Sequence, residues 1–272
     1  MKKNVPWCGV LLCFTSLILA LVSFSCDQLP EILDDPLVSA EDLEGTWIKT
    51  FDTPVEYDEG LETDAVIISF SGSEYEMIFY YLTEQNGGVR GSYGISEAAI
   101  TLTVSESWDD NTYWDSDTGE YSAEYNPAGQ NLAANIGYPD AESVEFSPIV
   151  FTIPDELADV WKNEESANYA IEMPLDPDGT YSYYEDQGDS LYEEGGTWDA
   201  TDELLRAVTT TRNDTDVSIG FLHPYSLGPL PDGDPHAAYG ADLKLDITVY
   251  EEGDGGPEES TQEYWNWQGI PQ

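Results

Sequence analysis

The residues able to do chemistry in this chain are mostly carboxylates. Asp and Glu number 55 among 272 residues, against 8 Lys and Arg, for a formal net charge of −47. Two carboxylates at a set separation can hydrolyse a glycosidic bond, but with so many acids any such pair arises by chance. The acidic loops Asp176-Pro177-Asp178-Gly179 and Asp232-Gly233-Asp234 offer the oxygen ligands that Ca²⁺ prefers. An EF-hand frame from Asp176 fails, because the glycine comes too early and the twelfth position is Gln187. His223 and His236 share a Pro- and Gly-rich stretch, read as a long surface loop. Only Asp232 and Asp234 stand near them, too few for a metal site. The sequence carries no Gly-x-Ser-x-Gly nucleophile elbow and no Gly-rich phosphate loop. No catalytic residue, metal or cofactor is therefore expected, and the chain is read as a non-enzyme. Phosphate contacts need clustered Lys and Arg, so nucleic acid is excluded as a partner.

Aromatic side chains are the other candidates. There are 18 Tyr, 8 Trp and 8 Phe, and hydrophobic residues make up 40% of the chain, enough to fill a core despite the charge. Tyr75, Phe79, Tyr80 and Tyr81 fall in one run, and Tyr181, Tyr183 and Tyr184 in another. On a strand, residues of one parity face inward. Phe79, Tyr81, Tyr181 and Tyr183 are thus the candidate lining of an apolar ligand cavity. Plain aromatic strand packing is the alternative. Trp108, Tyr113 and Trp114, and Trp265 with Trp267, lie beside acids and polar residues. Exposed, they would stack on sugar rings, which keeps a carbohydrate-binding module open.

The elements that must position these residues are strands. Val66, Ile68 and Phe70 alternate with other residues, as do Ile100, Leu102 and Val104, then Val217, Ile219 and Phe221. Leu243, Leu245, Ile247 and Val249 give the clearest run. Period-2 alternation of this kind marks antiparallel strands with one buried face. Many short strands with few helices imply a barrel or sandwich. A weak internal repeat divides them. SAEDLEGTW (39–47) and PDELADVW (154–161) each carry Leu-x-x-x-Trp, a spacing that places Leu and Trp on one face of a helical turn. GGVRGSYGISEAAITLTVSES (87–107) and EEGGTWDATDELLRAVTTTRN (193–213) each read as a Gly turn, a short strand and a longer strand. The units are 39–153 and 154–272.

The N-terminus reads as a signal segment, residues 1–25. Lys2 and Lys3 precede an apolar run from Val10 to Val22, short for a membrane span and suited to a signal core. The run ends in Val22-Ser23-Phe24-Ser25-Cys26, which resembles the lipobox of bacterial lipoproteins. The resemblance implies a lipid on Cys26, a membrane partner through that lipid, and an extracytoplasmic place in the bacterial cell envelope. Residues 26–38 form a short tether. Cys8 and Cys13 fall in the segment to be removed, so the body holds no disulfide. Its bases are Lys49, Arg90, Lys162, Arg206, Arg212 and Lys244, against all 55 acids. Such self-repulsion destabilises a compact state unless salt screens it, a composition similar to secreted proteins of salt-loving bacteria.

Gly45-Thr46-Trp47, then Asp178-Gly179-Thr180-Tyr181 with Gly196-Thr197-Trp198, and Gly91-Ser92-Tyr93 before a Thr-rich strand, resemble bacterial lipocalin-like domains. The resemblance implies an all-β fold of two tandem antiparallel lipocalin-like β-barrels after the signal segment and tether. It implies binding of a small apolar or amphiphilic ligand. The alternatives are an envelope structural or interaction protein with filled barrels, and the carbohydrate module. In the second unit Asp159-Val160-Trp161 replaces Gly-x-Trp, a departure from the pattern. The oligomeric state is not encoded in any of these motifs.

Overall fold

In the computed structural model, residues 38–266 are described, apart from 59–60, 97–98, 110–114, 127–128, 137–142, 167–168, 187–190 and 254–255. The signal segment, Cys26 and the tether up to residue 37 lie outside the described residues, as do Tyr113, Trp114 and Trp267. From Ser39 onward the chain forms one compact unit. A short helix, α1 (Ala40–Leu43), leads into β1 (Gly45–Asp58), β2 (Leu61–Ser71), β3 (Glu74–Tyr81), β4 (Glu84–Ser96), β5 (Ala99–Asp109), β6 (Asp115–Asn126), β7 (Asn131–Asn135) and β8 (Ser143–Ile149). Then follow β9 (Val160–Ser166), β10 (Tyr169–Pro174), β11 (Thr180–Asp186), β12 (Leu191–Ala200), β13 (Leu204–Arg212) and β14 (Thr215–Pro229). A 3₁₀ turn (Pro235–Tyr239), β15 (Leu243–Gly253) and β16 (Gly256–Asn266) complete the described chain.

The fold is all-β and antiparallel. Strands β9 to β16 pair consecutively, and β16 returns to β9 through Trp265–Lys162 and Asn266–Trp161. That return closes an eight-stranded barrel and leaves no free sheet edge. Strands β1 to β8 pair in the same consecutive order, and β8 returns to β1 through Thr46–Ile149, Trp47–Pro148 and Ile48–Ser147. One bridge joins the two sets, Phe221 of β14 with Glu84 of β4, reinforced by Leu222 N–H donating to Thr83 O at 2.8 Å.

Alternation sets the burial. On β15, Leu245 and Ile247 are buried, whereas the alternating Lys244 and Asp246 are partly exposed and pair with each other at 3.0 Å. Strand β2 departs from its expected one-face pattern. Val66, Ile68 and Phe70 are buried as expected, but Ala65 and Ile67 on the other face are buried too. Their outward face packs with Tyr80 and Leu222, flanked by Phe151 and Leu204. One set of strands covers the other there, so apolar residues occupy both faces.

The repeated motifs acquire matching geometry. Trp47 Nε1 donates to Leu43 O at 3.0 Å, and Trp161 Nε1 donates to Leu157 O at 2.9 Å. All four side chains are buried. Leu and Trp do not share one helical turn: α1 ends at Leu43, Trp47 already lies in β1, and Leu157 sits in a hydrogen-bonded turn before β9. The indole bond links them across the change of structure. Strands β4 and β12 also match. A bulge falls between Arg90 and Gly91, and another between Gly195 and Gly196. A Cβ on Gly91 would stand 1.9 Å from Thr103 O, and one on Gly196 2.0 Å from Val208 O. Two residues on, Tyr93 N–H donates to Ser73 O and its hydroxyl to Gly72 O, at 3.1 and 2.8 Å. Trp198 N–H donates to Gly179 O and its indole to Asp176 O, at 2.8 and 3.1 Å. In each half the aromatic ties its strand to the hairpin turn two strands back.

Candidate functional site

The interior of the β9–β16 barrel holds a cavity of about 360 Å³, within the range of small-molecule sites. Strand direction sorts its lining. The turns after β10 and β12 mark the end where Trp161 lies, and here Met173, Leu175, Trp198 and Leu205 make an apolar floor. The C-terminal ends of β11 and β13 mark the other end, where Glu185, Tyr192, Glu194 and Arg212 line the cavity. Register explains the grouping. Tyr183 pairs with Glu194, Glu185 with Tyr192, and Glu194 in turn with Arg212. Three neighbouring strands thus place their inward residues at adjacent levels.

Charge at this end is organised around Glu194. Arg212 Nε and Nη2 both reach Glu194 Oε1 at 2.7 Å. The Tyr192 hydroxyl donates to the same oxygen, and Thr209 Oγ1 donates to Oε2 at 3.3 Å. The Glu194 side chain is 11% exposed and that of Arg212 35%. A pair this sheltered contributes little net stability, but it is costly to break from one side. Burial, and then Glu194, push the Tyr192 phenol well above its ordinary range. Tyr181 bonds Thr209 Oγ1 at 2.5 Å, and burial pushes its phenol up to about 12. Both hydroxyls therefore stay protonated at neutral pH.

His223 also lines the cavity, on the same face of β14 as Phe221, with the two rings stacked at 5.7 Å. Its Nδ1 lies 3.1 Å from Thr248 O. A carbonyl only accepts, so Nδ1 carries the proton and Nε2 is left as an acceptor. Burial holds its pKa below the ordinary imidazole value.

The structure separates the residues singled out from sequence. Tyr181 and Tyr183 line the cavity. Phe79 is buried in the other half, stacked on Tyr57 at 3.9 Å. Tyr81 ends β3 beside Glu62 and Asp64. The stretch read as a loop around His223 is instead the second part of β14. Pro224 stands where β14 leaves β13, and Tyr225 begins its pairing with β15, a place where a missing N–H is tolerated. His236 lies in the 3₁₀ turn, bonded to Asp234 at 2.6 Å and stacked on Trp265 at 3.6 Å. One face of that indole is therefore taken up by the imidazole. The Asp178 carboxylate is taken up by Thr180 N–H and O–H at 3.0 and 2.7 Å, an Asx lock on the hairpin turn. Among the described residues no group of three or more His, Cys, Asp and Glu could hold a metal ion.

Tyr192, Glu194 and Arg212 were not picked out from sequence, and His223 was weighed there only as a metal ligand in a loop. Period-2 reading of LYEEGGTW puts Tyr192, Glu194 and Trp198 on one face, and that was the available signal for the first two. Compared with known proteins, the chain matches no family model, no curated protein and no solved structure.

Proposed function

We propose that this chain is an envelope lipoprotein of two tandem lipocalin-like barrels, and that the β9–β16 barrel binds a small amphiphilic molecule. The observation that carries the ligand reading is the cavity, with an apolar floor at Trp198 and Leu205 and a charged end at Glu185, Glu194 and Arg212. A molecule with an apolar tail and one polar group matches that gradient. Two observations support the tandem reading: consecutive pairing that returns on itself in each half, and the matched glycine and aromatic contacts of β4 and β12. Anchoring through Cys26 rests on the signal pattern alone. The test is mass spectrometry of an organic extract from protein purified at high salt from its native membrane. One amphiphile per chain, beyond the acyl chains on Cys26, is the expected result. An extract without a stoichiometric molecule would move the reading to an envelope structural or interaction protein with no small ligand.

A further inference from the structure

The charged end of the cavity discriminates among amphiphiles, a step that rests on the amphiphile reading above. We infer that the β9–β16 barrel takes a ligand whose polar end is an organic cation, an amine or a quaternary ammonium, with its tail on the Trp198 and Leu205 floor. Two carboxylates, Glu185 and Glu194, line the cavity against one guanidinium, Arg212. The lining therefore carries an excess of negative charge, and His223, held neutral by burial, adds no positive charge.

An anionic headgroup would enter this field unfavourably. To take the Nε and Nη2 donors of Arg212 it would have to displace Glu194, whose carboxylate already holds Arg212, Tyr192 and Thr209. That would strand a sheltered carboxylate without its cation. A cation meets the opposite situation. Tyr183 and Tyr192 stand edge to face, centroids 6.2 Å apart and planes at 83°, two walls of a corner beside Glu185. The Tyr183 hydroxyl donates to Glu185 Oε2 at 3.3 Å. Ring faces attract cations within about 6 Å, and Arg212 already lies 5.8 Å over the Tyr192 ring. Phe221 and Trp198 line the same cavity. Aromatic walls with nearby carboxylates suit a weakly hydrated ammonium better than a neutral hydroxyl.

The experiment compares three decyl amphiphiles, each below its micellar concentration: decyltrimethylammonium, decanoate and decanol. The full chain is titrated in about 1 M NaCl, where a Debye length of ~3 Å screens remote acids, and binding is read by calorimetry and tryptophan fluorescence. Decyltrimethylammonium is expected to bind at least about tenfold more tightly than decanol, with decanoate weakest. In Glu185→Gln the ratio of cation affinity to decanol affinity should shrink several-fold. Equal affinities for all three, decanoate binding tightest, or an unchanged preference in Glu185→Gln would overturn the cation assignment and leave the amphiphile reading standing. No binding of any of the three would overturn both.

Discussion

A methyl group added to Gly196 tests the shared plan of the two halves. In Gly196→Ala the new Cβ would lie 2.0 Å from the Val208 carbonyl oxygen, 2.8 Å from its carbon and 2.9 Å from Tyr181 Cε1. Two of these neighbours are backbone of the adjacent strand, so the clash cannot be relieved by a rotamer. Ordinary contact begins at 3.4 Å, so β12 and β13 must part by about 1.4 Å at the bulge between Gly195 and Gly196. Overpacking of this kind costs about 1–3 kcal/mol. For a body of this size that corresponds to a fall in Tm of roughly 4–8 °C for a 2 kcal/mol loss. Gly91→Ala should cost about as much, because its Cβ would meet Thr103 O at 1.9 Å. Gly94→Ala is the control: nothing lies within 4 Å of its Cβ, and replacing a strand glycine should be neutral or stabilising by about 0.5 kcal/mol. Calorimetry or urea unfolding at fixed salt reads all three. Gly91→Ala and Gly196→Ala at wild-type stability, or only one of them impaired, would refute the argument that both halves use the same backbone approach.

Salt should stabilise the body strongly. Arg90, Lys162, Arg206, Arg212 and Lys244 are each in an ion pair, and Lys49 lies over the Phe51 ring, yet the chain's 55 acids far outnumber these bases. Raising NaCl to about 1 M should lift Tm by about 5 °C or more, roughly 2 kcal/mol; an unchanged midpoint in melts at low and molar salt contradicts this. His223 should impose an acid sensitivity. Its lowered folded pKa means the unfolded chain binds the proton first, so its contribution is fully present above about pH 6.5 and is lost as pH falls toward the folded value. Wild type should lose more Tm than His223→Gln between about pH 7.5 and about pH 5.5, and equal losses would dismiss the effect. Cys26→Ser should release the protein from the membrane fraction, and retention would reject the anchor.

Strand alternation made the all-β class legible, because a buried face at period 2 leaves its mark in Val66, Ile68 and Phe70 or in Leu245 and Ile247. The Leu-x-x-x-Trp and Gly-x-aromatic motifs were visible for a related reason: each is a local contact, an indole to a nearby carbonyl or a glycine under a neighbouring strand. What escaped depended on the register between distant strands. Arg212 meets Glu194 only because β13 pairs with β12 across a bulge, and no local pattern encodes that offset. The outward burial of Ala65 and Ile67 arises from Leu222, far along the chain. Pro224 and Gly228 disguised β14 as a loop, although they sit around the point where the strand changes partner.

The central claim is that ligand binds inside the β9–β16 barrel, and filling that space tests it most directly. Ala207 lines the cavity, and Ala207→Trp would place an indole where the tail should lie. The measurement is calorimetric titration of a decyl amphiphile that the wild type binds, with an unliganded melt to verify that the variant is folded. Binding lost at least about tenfold in a folded Ala207→Trp is the predicted result. Wild-type affinity in that variant would place the ligand outside the barrel and contradict the account.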